Sequence, residues 1–99
     1  MAVLAIADIR ACVAEIAEFF GVKKVSLFGS YALGRETEKS DVDLLVEFNE
    51  DSVSLFKLSD MRYELENLMS RKVDLIHAPI PEDSFLEIEK EILLYDKAS

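Results

Sequence analysis

Residues 25–48 read VSLFGSYALGRETEKSDVDLLVEF, and the order of apolar and polar segments in this stretch sets the architecture of the chain. A short apolar run, Val25 to Phe28, stops at Gly29-Ser30, and a second run begins at Asp41-Val42-Asp43. Short apolar runs bounded by glycine and polar residues are typical of buried strands. The residues between the two motifs suffice for a helical turn and a loop. The stretch therefore predicts two strands joined through a helical turn.

The second run places two carboxylates on one face of the predicted strand. Successive side chains of a strand point to opposite faces, so Asp41 and Asp43 share one face and the apolar residues share the other. Two strand residues span about 7 Å, so both carboxylates can reach one cation or a close pair of cations. Oxygen ligands of this kind favour Mg²⁺ or Mn²⁺ over zinc. The apolar set is Val42, Leu44, Val46 and Phe48.

Gly29 and Ser30 stand where a strand ends and a helix can begin. A helix start offers free N–H groups and a partial positive charge to an anion. Glycine lets a phosphate approach the backbone, and the serine hydroxyl can donate one more hydrogen bond. Taken alone, the pair is an ordinary strand-to-helix turn with a serine N-cap. Followed by Asp41 and Asp43, it favours a site for a nucleoside triphosphate and its metal.

The pattern F-G-S-x(10)-D-x-D, which starts at Phe28 and ends at Asp43, resembles the signature of the DNA polymerase beta nucleotidyltransferase superfamily. In size and arrangement the chain is similar to the minimal nucleotidyltransferase (MNT) family, and the similarity covers nearly all of it. One departure concerns the segment after the serine, where family members often have G-S-x-A-R-G. Leu33 takes the place of that arginine here, and Arg35 is displaced by two positions.

A third carboxylate, Asp74, lies in a strand that the sequence predicts over Val73 to His77. Members of the family carry a third carboxylate on a later strand, so the resemblance implies that sheet pairing brings Asp74 beside Asp41 and Asp43. Three neighbouring carboxylates repel one another, and a bound cation would hold them together.

The resemblance implies a fold, a reaction and a partner. The fold is α/β (α+β), with a small mixed sheet like the polymerase beta palm and helices packed on one face. The reaction is Mg²⁺-dependent transfer of AMP from ATP to a hydroxyl, expected to be a tyrosine, of a HEPN-domain ribonuclease toxin for which the chain is the antitoxin. The implied catalytic and metal-binding residues, with two Mg²⁺ ions, are Asp41, Asp43 and Asp74, and those that bind the ATP phosphates are Gly29, Ser30 and Arg35.

Two other interpretations stay open at this point. A catalytically silent binding module would neutralise its partner by forming a complex. Leu33 and the lack of a second domain favour that module, whereas the three aspartates oppose it. A HAD-like phosphatase also uses a D-x-D pair, but its nucleophilic aspartate should close the first strand of a longer chain. Here the pair opens the second strand.

Composition sets further limits on class and partners. We expect one domain, residues 1–99, with a single core. The 11 Lys and Arg against 20 Asp and Glu give a formal charge of −9, which opposes direct binding to nucleic acids and to anionic membranes. The same charge suits a basic protein partner. A single cysteine, Cys12, fits a reducing cytoplasm, and no apolar run is long enough to span a membrane.

Apolar residues at intervals of three and four predict further helices over residues 6–20, 55–68 and 85–95. We expect Gly21 to end the first of them in a left-handed conformation. Glu66, on the second, is interpreted as part of a solvated face. The apolar stripe of that helix is Leu55, Leu58, Met61, Leu65 and Leu68, and the stripe of the last helix is Phe85, Ile88, Ile92 and Tyr95.

Overall fold

The computed structural model describes residues 4–37, 39–50, 52–77 and 90–97. In these ranges the chain forms three helices and four strands. The strands make one mixed sheet in the order β3-β2-β1-β4, in which β1 is antiparallel to both neighbours and β3 is parallel to β2. The elements are α1 (Ile6–Ala17), β1 (Val22–Phe28), α2 (Gly29–Leu33), β2 (Val42–Phe48), α3 (Leu55–Met69), β3 (Val73–His77) and β4 (Ile92–Asp96).

The core lies between one face of the sheet and helices α1 and α3, which contact each other and the strands beneath them. Every second residue of β2 is buried, from Val42 to Phe48, which confirms the predicted alternation. Asp43 is left on the opposite face, half-buried. Each large aliphatic side chain in this core contributes roughly 1.5–3 kcal/mol of burial free energy. The helices contribute Ile9, Val13, Ile16, Met61, Leu65 and Met69.

The prediction of a last helix over residues 85–95 is wrong for the part that the structure describes, residues 90–95. Ile92 and Tyr95 lie in β4, paired with Leu27 and Val25 of β1, and residues 85–89 lie outside the described ranges. Their spacing of three fits a helix, but the run ILLY is also continuous and apolar, as in a buried strand. Backbone pairing with β1 decides between the two, because it gives the strand its hydrogen bonds.

Two helices differ in detail from their predicted extents. α1 ends at Ala17 rather than Phe20, and Gly21 has a φ of +68° in the turn that follows, as expected. In α3 the buried stripe ends at Met69 instead of Leu68, which is 40 % exposed. Leu55, at the start of the predicted stripe, is 79 % exposed. Met61, Leu65 and Met69 follow each other at four-residue steps, so the helix is turned away from the predicted stripe.

β1 is longer than predicted. β1 begins at Val22, three residues before the predicted Val25, because pairing with β2 extends past the two lysines that hid it in the sequence. β3 has the predicted bounds. Within the described ranges, none of the helices combines the length and apolar character needed to cross a bilayer.

Candidate active site

Gly29 begins α2 directly after β1 and has a φ of +71°, a conformation that side-chain-bearing residues rarely adopt. Its neighbour Phe28 is paired with Asp43 across the sheet. A Cβ added at Gly29 would collide with Asp43 Oδ2 and would lie 3.0 Å from Cγ and 3.3 Å from Cβ of Asp43. Glycine is therefore required at this position for two reasons: the backbone has a positive φ, and the Asp43 carboxylate leaves no room for a Cβ.

The short helix α2 is held against the core by its second half. Tyr31 and Ala32 are buried, and the Tyr31 hydroxyl makes no hydrogen bond with the part of the chain that the structure describes. The helix ends at Gly34, whose φ is +71°. Ser30 is half-buried, and its carbonyl accepts hydrogen bonds from the N–H groups of Gly34 and Arg35, the latter at 2.9 Å. The helix is thereby fixed at both ends, with its N-terminus beside Asp43.

Asp43 and Asp74 are directly paired positions of the neighbouring parallel strands β2 and β3, and Asp41 lies one residue before β2. The pKa of Asp43 is raised from 3.8 to about 6, first by burial and then by repulsion from Asp74, the Asp74 hydrogen bond and repulsion from Asp41. The three carboxylates therefore interact electrostatically.

A divalent cation matches the donor chemistry of this cluster. Carboxylate oxygens suit Mg²⁺ or Mn²⁺, and a cation between Asp43 and Asp74 would offset the repulsion that helps to raise the pKa of Asp43. In the conformation that the described residues adopt, no three Asp, Glu, His or Cys side chains are already arranged to hold one ion. Asp43 and Asp74 are thus the two carboxylates that sheet pairing brings together for a metal.

The other predicted ligand, Arg35, follows the end of α2, and its side chain is exposed. Its backbone N–H is committed to Ser30, but the guanidinium is not buried in the fold. The structure thus brings Gly29, Asp43 and Asp74 together, places Ser30 next to Gly29, and leaves Arg35 at the surface.

Two contacts that the sequence analysis missed fix the relative position of the carboxylates. Glu66 of α3 accepts a hydrogen bond from the Val73 N–H at 2.9 Å, so its interpretation as a solvated residue is wrong. The Val42 N–H donates to the Lys72 carbonyl at 3.0 Å. Together they hold the starts of β2 and β3 side by side, which sets the pairing of Asp43 with Asp74. No sequence pattern marks Glu66, because its partner lies in another element.

Comparisons with known sequences give relatives of one kind. A family model described as nucleotidyltransferase domain matches residues 9–97. The protein adenylyltransferase MntA of Thermococcus cleftensis is 45 % identical over 62 residues, which are 63 % of this chain and 62 % of that protein. A candidate protein adenylyltransferase of Methanocaldococcus jannaschii, MJ1215, is 47 % identical over 64 residues, 63 % of this chain and 71 % of that protein. A second protein of that organism, MJ0435, is covered over 59 % of its length.

Solved structures agree with the fold. A candidate minimal nucleotidyltransferase superimposes with a TM-score of 0.64 and 30 % identity, covering 78 % of this chain and 81 % of that one. The structure of a tri-AMPylated Shewanella oneidensis HEPN toxin in complex with an MNT antitoxin contains a chain that superimposes with a TM-score of 0.67, covering 95 % of this chain and 75 % of that one. At 14 % identity, the second likeness concerns the fold alone.

Proposed function

Because this chain belongs to the nucleotidyltransferase domain family, and within it to the minimal nucleotidyltransferases, we propose that it transfers AMP from ATP to a hydroxyl group of a partner protein. The observation that carries the proposal is the approach of Gly29, at a helix start, to the paired carboxylates Asp43 and Asp74. In this proposal the phosphate site at Gly29 therefore adjoins the acidic pair. Relatives at 45–47 % identity are named as protein adenylyltransferases.

In this proposal Asp41, Asp43 and Asp74 bind Mg²⁺, with two ions at full occupancy. The ions, when bound, neutralise the triphosphate and stabilise charge on the attacking and leaving oxygens. Two observations support the metal role: the raised pKa of Asp43, which a cation would lower again, and the chain's formal charge of −9, which opposes an unaccompanied triphosphate.

Gly29 and Ser30 bind the β- and γ-phosphates in this proposal. The Gly29 N–H is at the start of α2, where intrahelical acceptors are lacking, and the Ser30 hydroxyl adds a donor. Arg35 contributes its exposed guanidinium to the same triphosphate from the far end of α2. Leu33 leaves the helix without the arginine common in the family, so Arg35 is the cation nearest in sequence that can take this role.

In the transfer step of this proposal, Asp74 is the residue beside the acceptor hydroxyl. It lies on β3 and is exposed, so an acceptor can reach it. The acceptor oxygen forms a bond to the α-phosphorus, while the bond from that phosphorus to the pyrophosphate oxygen breaks. Asp74 accepts the hydroxyl proton. Pyrophosphate leaves from Gly29 and Ser30, and AMP stays on the acceptor.

We further propose that the acceptor is a tyrosine of a HEPN-domain ribonuclease toxin in the cytoplasm, and that residues 1–99 act as one antitoxin domain. The fold shared with the Shewanella oneidensis complex, in which the HEPN toxin is tri-AMPylated, supports this choice. The acidic charge also suits a basic, RNA-binding partner.

The test is to incubate the purified chain and its toxin partner with ATP and Mg²⁺, and to weigh both intact proteins by mass spectrometry. We expect the partner to gain one or more AMP units with the wild type only, and not with Asp43→Asn or in EDTA. A partner that gains no mass, although the chain was shown to be folded, would contradict the proposal.

A second candidate is the silent module that neutralises its partner by binding. Two observations favour it: Leu33 replaces the usual arginine, and three carboxylates are not already arranged around one ion in the described residues. Asp41→Asn separates the two functions. A module that acts by masking still neutralises the toxin after this change, whereas a transferase does not.

A further inference from the structure

A groove with a volume of about 520 Å³ lies between the end of α1 and the middle of α3. It belongs to the helical layer and shares no residue with the candidate active site. We call it the α1/α3 groove. Its aromatic lining consists of Phe19, Phe20 and Tyr63, and its acidic lining consists of Glu15, Asp60 and Glu64.

Two of the three aromatic side chains of the groove are unusually open to water. Phe19 is 85 % exposed and Tyr63 is 64 % exposed, although each could bury a large apolar area. The Phe19 ring is not randomly placed, since it packs edge-on against the buried Phe20 ring with centroids 5.1 Å apart. Phe56, which is 84 % exposed, stands seven residues before Tyr63 and therefore extends the same face of α3. Exposed aromatic rings grouped on one helical layer are typical of a contact site.

The charged residues that line the groove all have one sign. Glu15 comes from α1, and Asp60 and Glu64 come from α3, so carboxylates flank the rings on both sides. Among the described residues that line the groove, there is no lysine or arginine to balance them. An occupant that carries basic residues beside an apolar stripe would satisfy both features, whereas an acidic or neutral occupant would leave the carboxylates uncompensated.

We propose that the α1/α3 groove binds a basic amphipathic helix of a partner protein. The apolar stripe of that helix packs on Phe19 and Tyr63, and its flanking lysines and arginines pair with Glu15, Asp60 and Glu64. A helix fits better than an extended strand, because α1 with its following turn and α3 line the groove, and no sheet edge lies in it for backbone pairing. If this partner is also the AMP acceptor, which rests on the proposed function, docking and chemistry use separate surfaces.

The test uses the full chain and two fluorescently labelled helical peptides of equal length and identical apolar stripe. One carries Lys and Arg at its other positions, and the other carries Glu. In buffer of physiological ionic strength, anisotropy titration should show at least tenfold tighter binding of the basic peptide, about 1.4 kcal/mol. Phe19→Ser and Tyr63→Ser should each weaken it about tenfold. Leu93→Ser, which removes a 45 % exposed leucine of β4 outside the groove, should not.

Nonspecific attraction between a negative chain and a positive peptide is controlled by matched charge reversals. The double variant Glu15→Lys/Glu64→Lys should lose binding of the basic peptide, and Glu50→Lys/Glu91→Lys, with the same change of net charge at exposed positions outside the groove, should keep it. Equal loss in both double variants overturns the proposal. Absence of binding, or equal binding of the two peptides, also overturns it.

A second copy of the chain is the competing occupant, and sedimentation separates it. A wild-type dimer that Phe19→Ser converts to a monomer would assign the groove to self-association and overturn the partner helix. With a toxin that accepts AMP, the groove variants should raise its KM at least tenfold and leave kcat unchanged. Unchanged KM overturns docking of the acceptor here. No transfer by the wild type contradicts the proposed function instead, and the peptide titration still decides the groove.

Discussion

At the scale of single residues, Gly29 and Gly34 form a natural pair for comparison. Both have a φ of +71°, so alanine at either position strains the backbone by roughly 1–2 kcal/mol. They differ in surroundings: a Cβ at Gly29 meets the Asp43 carboxylate, whereas a Cβ at Gly34 meets nothing within 4 Å. The backbone cost and the site cost can therefore be separated.

We predict that Gly29→Ala and Gly34→Ala lower the melting temperature by similar backbone strain, and that Gly29→Ala alone displaces the Asp43 carboxylate. AMP transfer should fall at least tenfold in Gly29→Ala and stay within about twofold of wild type in Gly34→Ala. Thermal melts and the mass-spectrometric transfer assay measure the two effects. Equal activity in both variants would show that the close approach of Gly29 to Asp43 has no part in the chemistry.

The raised pKa of Asp43 predicts how stability depends on pH. A carboxyl whose pKa is about 6 in the folded chain and near 3.8 in the unfolded chain holds its proton more tightly when folded. Stability from this group is therefore lost as pH rises from about 4 to about 6 and stays lost above that range. Because the group is only half-buried, screening by water reduces the effect to roughly 1–2 kcal/mol.

Asp43→Asn should accordingly melt higher than wild type at pH 7.5 without metal, and no higher at pH 4, where the wild-type carboxyl is protonated. Melts in EDTA across this range measure the difference between the two chains, so the titration of carboxylates outside the cluster cancels. A difference that does not change with pH would rule out the electrostatic cluster of Asp41, Asp43 and Asp74.

Mg²⁺ should reverse the order of the two chains. A cation that binds only the folded state at a hundred times its dissociation constant stabilises by about 2.7 kcal/mol. We predict that Mg²⁺ raises the melting temperature of the wild type by several degrees at pH 7.5 and changes that of Asp43→Asn by less than one degree. Equal shifts would indicate that the ion binds elsewhere on this acidic chain.

At the scale of the elements, the active site depends on how β2 and β3 are held together. Glu66 reaches from α3 to the first N–H of β3, and its loss leaves the Val73 donor without this acceptor. We predict that Glu66→Ala lowers the free energy of unfolding by about 1–2 kcal/mol and that Glu66→Gln, which keeps an acceptor oxygen, costs less than half of that. Urea denaturation measures both. A cost that is the same for both variants would argue that the hydrogen bond contributes nothing.

The elements also show how far the sequence leads. β2 and β3 are predicted from their alternation and short apolar runs, and the resemblance places Asp43 near Asp74, although the roles of these carboxylates stay predictions. β4 is missed because the continuous apolar run ILLY fits a buried strand as well as part of a helix, and only its pairing with β1 distinguishes the two. Glu66 is missed for the same reason, since its hydrogen bond joins elements that are distant along the chain.

At the scale of the whole molecule, the net charge of −9 attracts a basic partner at long range, whereas the α1/α3 groove interacts with it only after contact. Long-range attraction speeds the encounter with a basic partner and weakens as salt shortens the Debye length, which is about 10 Å at 0.1 M. We predict that raising NaCl from 0.05 to 0.5 M, roughly a tenfold range, slows association with the toxin more than tenfold and changes the dissociation rate less than threefold. Stopped-flow kinetics distinguish the two rates. A salt effect confined to dissociation would contradict steering by net charge.

The close approach of the Asp43 carboxylate to Gly29 also constrains the order in which substitutions can accumulate when the activity is no longer selected. While the aspartate is present, any side chain at Gly29 is rejected by a collision as well as by the backbone. A lineage that gives up the chemistry can replace Asp43 first, and only afterwards does position 29 begin to tolerate alanine. Inactive homologues should therefore have a substitution at Asp43 and an unchanged Gly29 more often than a substitution at Gly29 and an unchanged Asp43. The relative frequency of the two combinations would then show which position changed first.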